Sequence, residues 1–263
     1  MLIDSHAHLD LPQFDGDRVA VIERAFADVK DGAGGLTGIV TIGFDLNSSK
    51  KAVQIAEAND NIYAVVGVHP HDAKAVTERT IEGIRDLTNR KKVVGIGETG
   101  LDLFRKLSPV DRQYKAFHSF LDLSGETALP IVIHDRDANA EVLEVLTKNR
   151  GDYTPGIIHC FSGDWGYARK CLDLDFYISI PGVVTFPKAK QLHDVVKRLP
   201  TDRILFETDA PFLTPAPFRG KRNEPAYVRY TAVAAAEIRG DFPEKLMEAA
   251  ALNTIKVFGI EEL

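Results

Sequence analysis

The chain has 263 residues, 44% of them hydrophobic and 27% charged, with a formal net charge of −6. That is enough chain for one barrel-sized domain or two small ones, and the acidic balance argues against broad nonspecific affinity for nucleic acid while leaving room for a local basic patch. No apolar stretch approaches the roughly 20 residues of a membrane-spanning helix, and neither a basic n-region nor an apolar h-region opens the sequence, so no membrane association and a cytoplasmic location are expected.

Taken in chain order, eight apolar, β-branched runs stand at 2–5, 38–44, 62–68, 93–97, 131–134, 156–160, 176–180 and 204–207. They are continuous rather than alternating, as strands covered on both faces are. Helical spacing separates them. After the first run Val19, Ile22, Phe26 and Val29 recur at that spacing, and Gly32, Gly34 and Gly35 stop the helix. Val142, Leu143 and Leu146 mark a stripe between the fifth and sixth runs. Leu192, Val195, Val196 and Leu199 mark another before the eighth, closed by Pro200. Strands alternating with helices in this number predict an α/β fold, a (β/α)8 TIM barrel of the metal-dependent hydrolase type, in one domain spanning 1–263. A doubly wound open sheet is the alternative, but no Gly-rich phosphate fingerprint follows the first run.

Metal-ligand residues recur at the ends of these runs. The first leads into Asp4-Ser5-His6-Ala7-His8, and later ones end at Glu98, His134, His159 and Asp209. Strand alternation puts His6 and His8 on one face. One H-x-H pair is a weak signal by itself. In a barrel, however, the C-terminal strand ends share one mouth, so all six side chains are expected to meet there.

Four imidazoles and two carboxylates exceed the needs of one tetrahedral ion. Two divalent cations are therefore expected, with His6, His8 and Asp209 on one, His134 and His159 on the other, and Glu98 shared. Such a pair lowers the pKa of a bound water, with Asp209 placed to take its proton. Imidazole-rich ligation favours Zn²⁺ or Mn²⁺ over Mg²⁺.

Substrate handles are expected nearby: His69 and His71 after the third run, Arg136 after His134, Ser162 after the sixth run, and the cluster Arg219, Lys221 and Arg222 after the eighth. His118 and His193 fall within helical patterns and read as surface residues. Cys160 and Cys171 fit no zinc-knuckle spacing and read as reduced packing residues.

The segments DSHAHLD (4–10), GVHPH (67–71), GETGLD (97–102), PIVIHDRDA (130–138), HCFSG (159–163), SIPG (179–182), ETDAPFLTP (207–215) and RGKRNEP (219–225) resemble, in family order across nearly the whole chain, the TatD family of metal-dependent deoxyribonucleases, within the amidohydrolase-like barrel group. The resemblance implies the same six ligands, and phosphodiester hydrolysis on DNA with divalent cations, commonly Mg²⁺, against the softness argument above. Two positions depart from the family pattern: Leu103, where an aromatic is common, and Phe120, where Gln is common. The leading expectation is a metal-dependent phosphodiesterase that trims single-stranded DNA ends, its substrate DNA as a single strand or at 3′ ends, with the direction of cleavage left open, RNA as a second candidate substrate and a monomer as the default assembly. Phe104, Trp165 and Phe212 are candidates for base stacking. A hydrolase of a small amide, lactone or phosphotriester is the alternative, since the same barrel supports many reactions. His134, standing where many such relatives carry a carbamylated lysine, weighs against it. A non-catalytic barrel holding structural metal is a third reading, disfavoured because structural sites are usually closed.

Overall fold

The computed structural model describes residues 1–29 and 32–261; the last two residues of the expected 1–263 domain, and residues 30 and 31, lie outside that range. Among the described residues eight strands form one parallel sheet in sequential order: β1 (Ile3–Ala7), β2 (Gly38–Ile42), β3 (Ile62–Val66), β4 (Val93–Asp102), β5 (Pro130–Arg136), β6 (Thr154–Ile158), β7 (Tyr177–Ile180) and β8 (Ile204–Phe206). The last edge meets the first just beyond β8, where Ala7 pairs with Ala210, the Asp209 N–H donates to the His6 carbonyl at 2.9 Å, and the His8 N–H donates to the Ala210 carbonyl at 2.8 Å. The fold is a (β/α)8 barrel, as the alternation predicts.

The helices on the outside are α1 (Arg18–Phe26), α2 (Leu46–Glu57), α3 (Glu78–Thr88), α4 (Val110–Thr127), α5 (Asn139–Lys148), α6 (Trp165–Asp173), α7 (Lys190–Arg198), α8 (Val228–Arg239) and α9 (Pro243–Phe258). Local chemistry starts and stops several of them. Asp45 and Asp164 accept from the backbone N–H groups of Ser48 and Tyr167, and Thr77 forms a capping box with Thr80. No helix of the described residues is long and apolar enough to cross a membrane.

Burial on two sides explains the continuous apolar runs. Val40, Ile42, Tyr63, Val65, Val94, Val132, Ile157, Tyr177 and Leu205 form one cluster inside the barrel, joined by Phe258 and Ile260 at the end of α9. Their strand neighbours Ile39, Ala64, Ile96, Ile131 and Ile133 belong to a second cluster, packed against the helices. Phe258→Ala empties part of the inner cluster without touching the mouth. Urea titration of this variant is expected to show a loss of about 3–5 kcal/mol, with the slope m unchanged.

The helix expected at 19–29 is shorter and turned. It ends at Phe26, with Val21 and Ala25 buried, whereas Val19 is 71% and Val29 52% exposed. Two strands run further than their apolar runs suggest. The β4–β5 ladder continues from Thr99↔Ile133 to Asp102↔Arg136, so Glu98 and His134 sit inside strands rather than after them.

Phase matters on β4. Ile96 faces the helices, and strict alternation would turn Glu98 the same way. Between Ile96↔Ile131 and Thr99↔Ile133, however, β4 spends three residues against two of β5. This bulge reverses the alternation and turns Glu98 inward.

Candidate metal centre

Glu98, buried, stands at the centre of a ring of imidazoles. Its Oε2 lies 3.4 Å from His6 Nε2 and 3.6 Å from His8 Nε2. Its Oε1 lies 2.6 Å from His134 Nδ1, 3.0 Å from His159 Nε2 and 3.5 Å from His69 Nε2. The Asp209 Oδ1 completes the first side, 3.3 Å from His8 Nε2 and 3.9 Å from His6 Nε2. All six expected residues are thus brought together at the mouth, and His69 joins them as a seventh.

The donors suit divalent cations. Ligands about 2.1 Å from a tetrahedral ion stand about 3.4 Å apart, and the His6 and His8 Nε2 atoms are 3.3 Å apart. Three overlapping groups, namely His6 with His8 and Asp209, His6 with Glu98 and His159, and His69 with Glu98 and His134, each place their ligand atoms within 4.8 Å of one another.

Electrostatics agree at Glu98 and His6. Burial would raise the Glu98 carboxyl, but the surrounding His159, His69 and His134 outweigh it and hold the group well below the usual range, as a carboxylate. Burial, together with neighbouring His159, pushes His6 down to about 3, leaving a neutral imidazole that can donate a lone pair. At His8 burial works the other way from its partners. Hydrogen bonding to Asp209 and the nearby carboxylate charges prevail, raising it to about 9.

A second layer aims these ligands. The His8 Nδ1 stands 3.0 Å from the Ile42 carbonyl, and an N–H there leaves Nε2 for the mouth. The fully buried Glu207 reaches His159 Nδ1 at 3.1 Å. Asp102 lies 2.7 Å from His71 Nε2. The Asp4 carboxylate accepts from both the backbone N–H and the hydroxyl of Thr208, tying β1 to the turn that presents Asp209. Glu207 and Asp102 escaped sequence reasoning, although each lies two to four residues from a ligand within the GETGLD and ETDAP segments. Gly100 allows β4 and β5 to close here: its φ is +137°, and a Cβ would come within 2.1 Å of the His134 carbonyl oxygen.

Residues 3–259 match the family described as TatD related DNase. The chain belongs to the TatD family. A relative from Bacillus subtilis, the uncharacterized metal-dependent hydrolase YabD, is 44% identical over 260 residues and covers 99% of this chain and 100% of its own. A relative from Enterobacter lignolyticus, named 3'-5' ssDNA/RNA exonuclease TatD, is 34% identical over 264 residues, covering 98% of this chain and 99% of its own. The crystal structure of the TatD homolog YJJV from Escherichia coli superposes with a TM-score of 0.90 at 28% identity, covering 98% of both chains. This TatD-family barrel is a metal-dependent hydrolase.

Of the candidate ligands, His8, Glu98, His134, His159 and Asp209 line a cleft of about 890 Å³. In this TatD-family member His71, Arg136 and Ser162 line that cleft, together with Arg105, Lys188 and Lys190, three cations the sequence reading did not single out. Arg219, Lys221 and Arg222 are exposed and lie outside its lining. Arg222 is held by Asp17, with N–O distances of 2.7 and 2.8 Å, and ties the loop after β8 to the start of α1. Arg219 and Lys221 lie over the rings of Phe186 and Phe218, at 5.1 and 5.8 Å. Their charge clusters in sequence, but none of the three lines the cleft. His118 is exposed and His193 bonds the Val184 carbonyl, both apart from the ligand ring. Leu103 packs against the core and Phe120 is fully buried, so neither departure from the family pattern alters a ligand.

Proposed function

We propose that this protein is a nuclease that hydrolyses phosphodiester bonds of single-stranded DNA from a 3′ end, using two divalent cations held by His6, His8, Glu98, His134, His159 and Asp209. One observation carries the reading: the two oxygens of Glu98 face two different sets of donors, the arrangement a shared ligand requires. Direction and strandedness are supported by the printed name of the Enterobacter relative; RNA is a second substrate on the same ground.

When bound, the cations supply an acidified water and neutralise charge on the phosphoryl oxygens. The chain's own groups do the rest. Asp209 is the base that takes the water's proton, with its backbone N–H anchored on His6. Glu207 and the Ile42 carbonyl keep His159 and His8 in position. His69 stands beside His134, its Nε2 3.2 Å from the His134 Nδ1, and would hold the phosphate or one of the cations when these are bound. His71, held by Asp102, lines the cleft, where it would meet a phosphate oxygen or the leaving group.

Arg136 pairs with no carboxylate among the described residues, and its guanidinium offers a fork that matches a neighbouring phosphate. Steady-state kinetics of Arg136→Ala on oligonucleotides are expected to show KM about 10–100-fold higher with kcat little changed.

The experiment that tests the proposal uses oligonucleotides labelled at either end, incubated with metal-loaded enzyme. Stepwise shortening from the 3′ end, blocked by chelator, is expected. Internal cuts alone would remove the exonuclease assignment. Inert oligonucleotides beside turnover of a lactone or phosphotriester would instead favour a small-molecule hydrolase.

A further inference from the structure

Phe104 lies on the connection between β4 and α4, 60% exposed, and its ring is not idle. The Arg136 guanidinium sits 4.3 Å from the ring centroid. A cation stacked there fixes the ring's orientation and covers one face. The rest of the ring stays open to solvent. Arg136 itself lines the cleft two residues beyond His134, and its donors are not spent on any carboxylate of the described residues. Beside it Arg105, from the same connection as Phe104, also lines the cleft.

We infer that Phe104 is a base-stacking platform: one nucleobase next to the scissile bond lies on its open face while the backbone phosphate of that nucleotide engages Arg136. This deepens, and rests on, the nuclease reading above. It makes the substrate an unpaired strand recognised partly through a base. A π-face accepts any base, so the contact is sequence-tolerant. A paired base in a duplex is already stacked on its neighbours and cannot reach the ring without being unpaired. Phe104 stands just outside the cleft lining and is joined to it through Arg136, whereas the exposed Phe212 lines the cleft and is edge-on to His8 with centroids 6.3 Å apart, so changes there disturb a candidate ligand as well. Trp165 opens α6 and packs against the core. Phe104 alone isolates stacking from metal binding.

The test measures strand affinity by fluorescence anisotropy on metal-loaded enzyme, using a labelled phosphorothioate thymidine strand that resists cleavage. A companion series carries one abasic residue walked along the strand. In wild type, one abasic position is expected to weaken binding about tenfold, the scale of one base–aromatic stack. In Phe104→Ala the intact strand should bind about tenfold more weakly and that positional penalty should vanish, whereas Phe104→Trp should keep it. Equal binding by wild type and Phe104→Ala overturns the inference. So does a Phe104→Ala loss of the same size on intact and abasic strands, which would mean the ring only props Arg136. Parallel release assays separate the two claims. Wild type that binds in a Phe104-dependent way but cleaves no strand removes the nuclease reading and leaves the stacking platform standing. Cleavage without the positional penalty does the reverse, and wild type that neither binds nor cleaves removes both.

Discussion

Chelation of divalent cations is expected to abolish hydrolysis, lowering the rate by about 10⁴-fold or more, roughly 5.5 kcal/mol of transition-state stabilisation. The structure gives the reason. Glu98 is a buried carboxylate ringed by imidazoles, and without cations nothing in the cleft floor acidifies a water. The protein should stay folded throughout, because the Glu98 oxygens keep their contacts with His134 at 2.6 Å and His159 at 3.0 Å. Far-UV circular dichroism before and after chelation checks this. Reloading with Zn²⁺, Mn²⁺ or Mg²⁺ separately, with the metal counted per chain, checks the donor argument. Fewer than one equivalent after reloading would defeat the two-cation arrangement. Reloading should also raise the melting temperature in a concentration-dependent way, since an ion that binds only the folded chain stabilises it by mass action.

The second large effect is expected at Asp209. Asp209→Asn keeps the shape and the backbone bond to the His6 carbonyl, but removes the charge that faces His8 and His6 and, with it, the proposed proton acceptor. A fall in kcat of about 10³-fold or more is expected, combining a lost base with a weakened ligand, while thermal unfolding changes little. The Asn variant retaining full activity would remove both roles from Asp209. Comparing metal content of the variant and the parent separates them: a base alone leaves the content intact, and a ligand lowers it.

The metal centre was legible because barrel topology converts position in sequence into position in space. Every candidate ligand follows or ends an apolar run, and the C-terminal strand ends share one mouth. Charge was less legible. Arg219, Lys221 and Arg222 form a dense basic stretch, yet Arg222 is consumed by Asp17 and all three lie outside the cleft lining. The cations that do line it, Arg105, Arg136, Lys188 and Lys190, are scattered over the connection after β4, the end of β5 and the entry to α7. No spacing rule brings such residues together. His69 was assigned to substrate on its place after β3, and only the folded ring sets its Nε2 3.5 Å from Glu98.

From its sequence alone this chain determined an alternating α/β barrel and the identity of the six side chains around its mouth, because strand burial and the direction of parallel strands are written in local patterns. Tertiary structure decided the orientation of Glu98. The alternation that points Ile96 at the helices would have pointed Glu98 there too, and only the extra β4 residue, set by pairing with β5, turns that carboxylate inward. A bulge depends on how two strands register against each other, and register is a property of the closed sheet rather than of either segment.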